Sequence, residues 1–142
     1  MMSLGLVPNM NQVDIKKYVL QHLGTPYNKQ DISTHSIETG FNCLTWGAHL
    51  YNLYDGDKLG KISTDLTDLK VLRSNFVEAT PPLRFMDIAC FAFDSLGRHI
   101  AIMLDDRRFT HISDSSNGVA ISKIDTLPWK ELDPKYYRHK LL

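Results

Sequence analysis

Cys43, His99 and His111 are the residues of this sequence whose types and spacing could do chemistry together. A thiol nucleophile benefits from a base that takes its proton, and the base from a group that orients it. Cys43 falls at the predicted first turn of a helix, where backbone N–H groups lack intrahelical partners and the macrodipole favours negative charge. A thiolate is stabilised there, so the sequence predicts titration below the usual value of about 8.5. The same N–H groups can receive the oxyanion of an acyl transfer. The alternative is that Cys43 is a small buried hydrophobe. Cys90 sits inside Ile88-Ala-Cys-Phe-Ala-Phe93, an apolar stretch with no helix terminus, and reads as core.

His99 opens the run His-Ile-Ala-Ile-Met-Leu and His111 lies in the next, Phe-Thr-His-Ile-Ser. The two runs read as a hairpin, and opposed residues of an antiparallel pair share a face. A three-residue loop, Asp105 to Arg107, sets Leu104 against Arg108 and puts both histidines on one face as diagonal neighbours. A two- or four-residue loop separates them onto opposite faces. Two unrelated strand histidines are the alternative. His22, His35, His49 and His139 carry no such pattern; His49 lies six positions after Cys43, about 240° round the same helix, and faces away from the thiol.

The elements that must position these groups follow from hydrophobic period. Val13 to Leu23 reads as an amphipathic helix, with Ile15, Val19 and Leu23 on one apolar stripe and Gly24 ending it. Asn28 to Gly40 reads as a loop. Asn42 is a favoured N-cap for a second helix running to about Tyr54, apolar almost all round and therefore buried. Asp65 to Arg73 reads as a short third helix. From Asp87 the period changes to two, giving strands over Ile88 to Phe93, Arg98 to Leu104, Arg108 to Ser113 and Val119 to Ile124, with Tyr136 to Leu141 as a fifth. Helices followed by a strand meander predict an α+β domain, N-terminal helices packed on a C-terminal antiparallel sheet.

With 142 residues, 43% of them apolar, the chain fits a single domain spanning 1–142. Sixteen basic residues balance sixteen acidic ones, and no basic run appears, so neither nucleic acid nor a membrane surface is expected as partner. Two cysteines in different contexts read as a reduced pair. The first ten residues lack the charge and apolar stretch of a signal peptide, and no run approaches the roughly 20 apolar residues of a membrane span. The expected location is the cytoplasm of the producing cell, with release by lysis or a dedicated machine. No Gly-rich phosphate loop is present, and no cofactor or resident metal is expected.

The order of these parts resembles the NlpC-type cell-wall cysteine peptidases, a compact branch of the papain-like superfamily. Gly24-Thr-Pro-Tyr27 resembles that family's Gly-x-Pro-Tyr, and Phe41-Asn-Cys43 resembles its (Phe/Tyr)-Asp-Cys. His99-Ile-Ala-Ile-Met and Arg108-Phe-Thr-His111 resemble its His-Val-Gly-Ile-Tyr and (Arg/Lys)-Phe-Ile-His, with the same twelve-residue interval between histidines. Met86-Asp-Ile-Ala-Cys-Phe91 is similar to the strand before the catalytic histidine. The resemblance implies a papain-like fold, Cys43 attacking a scissile carbonyl, His99 as general base and His111 orienting it. It places Tyr27, Asn42 and Leu44 at the substrate or oxyanion. It also implies a peptide-like substrate, a peptidoglycan stem peptide cut at a γ-D-glutamyl bond next to a diamino acid.

The departures from that pattern surround the groove: Asn42 replaces Asp, Leu44-Thr45 replaces Ser-Gly, and Lys29-Gln30-Asp31 replaces a Gly-Gly segment. Three other readings share the residues. One is a non-catalytic assembly module, such as a phage-tail component, with an unidentified delivery or tail partner. Another is a thiol acyltransferase passing the acyl group to an amine. The last is a Cys/His/His zinc site, for which the usual short ligand spacings are missing.

Overall fold

The computed structural model describes residues 10–30, 32–54, 70, 74–93 and 97–142. Helix α1, Gln12–Gln21, starts at a capping box: Asn11 Oδ1 accepts from the Asp14 N–H at 2.8 Å, and the Asp14 carboxylate accepts from the Asn11 N–H at 3.2 Å. Ile15 and Val19 are buried, but the helix ends two residues earlier than its apolar stripe suggests and leaves Leu23 exposed. The chain turns away there to pair with the sheet, the Gly24 N–H donating to Val119 O at 2.9 Å. Helix α2, Cys43–Leu53, buries Thr45, Trp46, Gly47, Ala48, Leu50 and Tyr51, as its nearly unbroken apolar sequence predicts. The predicted helix over 65–73 falls outside the described residues, apart from Lys70, which is helical.

Six strands follow: β1 Phe76–Ala79, β2 Ile88–Phe93, β3 Gly97–Met103, β4 Arg108–Ser113, β5 Gly118–Lys123 and β6 Lys135–His139. They form one antiparallel sheet in the order β1-β6-β2-β3-β4-β5. The four meander strands match the periodicity within one residue at each end. The other edge adds what the periodicity does not show: β1 was not expected, and β6, the fifth strand expected over Tyr136 to Leu141, inserts between β1 and β2. A buried ion pair fastens that insertion. Asp87, fully buried at the start of β2, accepts from Arg138 Nε at 2.8 Å and Nη2 at 2.7 Å, and from the Arg84 N–H at 2.8 Å. Such a carboxylate left unpaired would cost several kcal/mol, roughly 3–5.

Alternation along the strands divides the core in two. Ile88, Cys90, Ile100, Ile102, Ile112 and Val119 pack with α1 and α2 through Ile15, Val19, Trp46, Leu50 and Tyr51. Ala89, Phe91, Ala101, Met103 and Phe109 face the other way, toward Trp129, Leu132 and Tyr136. Trp46 ties helix to sheet, its Nε1–H donating to Thr110 Oγ1 at 3.1 Å while that hydroxyl donates to Ala120 O at 3.1 Å. No helix among the described residues is long and apolar enough to cross a membrane.

Candidate active site

Cys43 is the first residue of α2, and Asn42 is its N-cap. Asn42 Oδ1 accepts from the N–H of Leu44 at 2.9 Å and of Thr45 at 2.8 Å, while Thr45 Oγ1 accepts from the Asn42 N–H at 2.9 Å. Two of the first-turn donors expected to serve an oxyanion are thus already occupied by the cap. The Asn42 side chain is an anchor for the helix rather than an open substrate contact, and the Cys43 N–H is the first-turn donor outside the cap.

The β3–β4 hairpin has the odd loop that a shared histidine face requires. Met103 pairs with Phe109, the Leu104 N–H donates to Arg108 O at 2.8 Å, and residues 105–107 turn between them. Arg108 and Asp105 hold that turn by an ion pair at 2.7 Å and by the Arg108 N–H on Asp105 Oδ1 at 2.7 Å. The ladder then stops at Ile102–Thr110. Continuing its register would set Ile100 against Ile112, and that pair is not formed. Alternate N–H groups of β3 point to β2 and β4: Met103 N–H bonds Asp87 O on the β2 side, Leu104 N–H bonds β4. Ile100 has the parity of Leu104, and its N–H, released from the ladder, lies near the Cys43 sulfur and pulls the thiol's pKa down. The thiol therefore meets the sheet where β3 and β4 part, one residue from His99.

His99 and His111 are both buried, and His99 Nε2 lies 2.9 Å from His111 Nδ1, with the rings perpendicular. His111 Nε2 lies 3.3 Å from Ser122 Oγ on β5. One tautomer assignment satisfies a base role for His99: Nε2–H donates to His111 Nδ1, and His111 Nε2–H donates to Ser122. His99 Nδ1 then carries no proton and is the atom a thiol proton would enter. Among the described residues no three His, Cys, Asp or Glu side chains are grouped so that they could hold a metal ion.

Burial decides the charge state. It pushes the Cys43 thiol above its ordinary value, outweighing the N–H groups of Ile100, Cys43 and Leu44, which pull it down. The sequence predicts the opposite direction, because the helix start is legible and the depth of burial is not. Burial likewise lowers His99 to about 4, and burial followed by the charge of His99 lowers His111 to about 3. At neutral pH the resting site holds a thiol and two neutral imidazoles.

Tyr27 is held beside Phe41, two residues upstream of the thiol, by a parallel bridge: Asn28 N–H to Phe41 O at 2.9 Å and Phe41 N–H to Pro26 O at 3.1 Å. Two glycines make this possible. Gly40 has φ +98° and Gly118 φ +92°, and a Cβ on either would overlap the backbone carbonyl oxygens of Pro26 or Thr25 respectively. The segment 24–27 is clamped between them. His35 braces the loop on the same side, Nε2–H donating to Gln30 O at 3.0 Å and Nδ1 lying 2.8 Å from Thr45 Oγ1 of the cap. His49 faces away from the thiol toward α1, 2.7 Å from the Tyr18 hydroxyl. Ser122, which meets His111, and the Ile100 N–H beside the thiol had no expected role. Trp129, which meets both histidines, reads from the sequence as core only. The two side chains need the final register or loop path, and the N–H is backbone.

The fold is that of the NlpC/P60 domains. The chain superposes over 96% of its length on a NlpC/P60 family protein from Bacillus cereus ATCC 10987, with a TM-score of 0.69 and 21% identity. It superposes over 90% of its length on the NlpC/p60 domain of peptidoglycan hydrolase SagA, with a TM-score of 0.60 and 17% identity. It spans 42% of the first protein and 97% of the second. The sequence itself matches no protein-family profile and no curated protein.

Proposed function

We propose that the protein is a cysteine peptidase or amidase acting on a peptide-like substrate, a peptidoglycan stem peptide at its γ-D-glutamyl–diamino acid bond. The observation that carries this is Cys43 at the start of α2 with its sulfur beside the N–H of Ile100, the residue that follows His99, which is itself hydrogen-bonded to His111. The likeness in fold to a domain of a peptidoglycan hydrolase supports the substrate class.

The thiol, neutral at rest, transfers its proton to His99 Nδ1 as the sulfur bonds the carbonyl carbon. The carbonyl oxygen becomes an oxyanion facing the Cys43 N–H at the positive end of α2. The imidazolium gives its proton to the leaving amine as the C–N bond breaks, leaving a thioester. His99 then takes a proton from water, which attacks the thioester and releases the acid and the thiol. His111 and Ser122 keep Nε2–H of His99 pointed away from the reacting atoms throughout. Tyr27, bridged to Phe41, is assigned to the substrate side by the family resemblance.

A digest of purified peptidoglycan and of a defined L-Ala-γ-D-Glu-diamino acid peptide, read by mass spectrometry, tests this reading. Fragments with a new free γ-carboxylate are expected from the wild type and not from Cys43→Ala. Intact substrate with both proteins would contradict it and favour a groove used for binding alone. An amide of an added amine in place of the acid would mark a transferase.

A further inference from the structure

We propose that Trp129 is a positioning residue of this reaction: its indole stacks on His99 and meets His111 edge-on, holding the two imidazoles in one geometry and keeping water from the bond between them. The catalytic consequence rests on the function proposed above; the structural one does not.

Trp129 opens a single 3-10 turn, Trp129–Glu131, in the segment that crosses the sheet between β5 and β6. Its ring lies 5.8 Å from His99 at 25° and 4.8 Å from His111 at 73°. Because the two imidazoles are themselves perpendicular, 5.0 Å apart, one flat ring in contact with both restricts each ring's rotation separately. The indole is seated from beneath by Phe91 at 5.0 Å and Phe109 at 5.2 Å, so its own position is set by the second core cluster. It is only partly buried, whereas both histidines beneath it are buried, which places it as their cover.

A hydrogen bond between two neutral imidazoles is weak in competition with water and gains by being dry. Stripped of its cover, His99 would exchange its bond to His111 for bonds to solvent and lose the orientation of Nδ1. Among the described residues, the titratable groups on the elements packed about the pair are Cys43 on α2, Tyr136 in the second cluster on β6, and Lys130 and Glu131, both exposed, on the turn that carries Trp129. Trp129 could instead be no more than core for Phe91 and Phe109. That role predicts a loss of stability and nothing at the histidines.

The test uses the full chain and reads histidine ring signals by NMR before any activity. In the wild type the Nε2–H of His99 is expected as a resolved, exchange-protected resonance at neutral pH; rapid exchange with water would overturn the proposal without any variant. In Trp129→Ala the His99 midpoint should rise from about 4 toward the ordinary 6.5, with Trp129→Phe retaining the low value. On a cleaved substrate, Trp129→Ala should lower kcat by at least about tenfold and leave KM within about twofold, the signature of a misplaced base. An unmoved titration and unmoved kcat in a folded but less stable Trp129→Ala would overturn it. A raised His99 midpoint in a protein whose wild type cleaves nothing would support the Trp129 assignment and contradict the hydrolase reading instead.

Discussion

His99 Nε2 and His111 Nδ1 face each other at 2.9 Å, and the second nitrogen of His111 continues the line to Ser122 Oγ at 3.3 Å. With Nε2 of His99 engaged by His111, Nδ1 is the nitrogen left to act as base, and among the described residues the line contains no carboxylate. An imidazole in the orienting position tolerates burial that an unpaired carboxylate would not.

The three members of that line should therefore differ in weight. Replacing the base, His99→Ala, is expected to lower kcat by about 10²–10⁴. His111→Ala should cost less, about 10–10², and His111→Asn should recover part of it, because its carbonyl can still accept from Nε2–H. Ser122→Ala loses one long hydrogen bond, about 1 kcal/mol, and should cost less than about tenfold. Steady-state kinetics on the defined peptide check the order; equal losses at Ser122 and His99 would contradict it.

Alkylation of Cys43 by iodoacetamide should be slow at neutral pH and rise through the alkaline range, with a midpoint above the usual value of about 8.5. Burial raises the thiol more than the three N–H groups lower it. Peptide mass mapping across pH reads this directly. A midpoint well under the usual value would mean a thiolate–imidazolium pair already formed at rest.

Acid should destabilise the fold early. Burial lowers His49 and His99 to about 4 and His111 to about 3. An unfolded histidine titrates near 6.5, so below that pH the unfolded chain takes up protons that the folded chain refuses. Stability fully present above about 6.5 is lost as pH falls toward 4 and then 3, at up to about 1.4 kcal/mol per pH unit for each histidine. Urea midpoints measured from about pH 7 down to about pH 4.5 should decline steadily, and less steeply in His49→Gln. A flat profile would show that the histidines are not held neutral.

Gly40→Ala and Gly118→Ala should each cost about 2 kcal/mol or more, since backbone strain and overlap with a carbonyl oxygen add. Gly24, at φ +87° with open space where a Cβ would stand, should cost about 1 kcal/mol from strain alone. Chemical denaturation ranks the three. Equal costs would mean that the clamp on segment 24–27 is not tight.

What was legible in the sequence was local or periodic. Asn42 before an apolar run marks the start of α2, and the loop between Leu104 and Arg108 decides whether His99 and His111 share a face. What was not legible depends on contacts far apart in the chain. The insertion of β6 beside β2 rests on Arg138 reaching Asp87, fifty-one positions away. Ser122 meets His111 only once β4 and β5 take their register, and Trp129 covers the histidines only through the path of an irregular segment. The thiol's resting protonation follows from its partial burial in the folded chain, and no spacing of residues encodes that.

The most direct measurement is intact-protein mass after acid quench of the wild type turning over the γ-D-glutamyl peptide, with the modified site mapped by fragmentation. The account predicts a thioester carrying the acyl part of the peptide on Cys43, absent from Cys43→Ala and greatly reduced in His99→Ala, where the neutral thiol loses its base. Cleavage that proceeds in Cys43→Ala, or an acyl group mapped to any other residue, would contradict it.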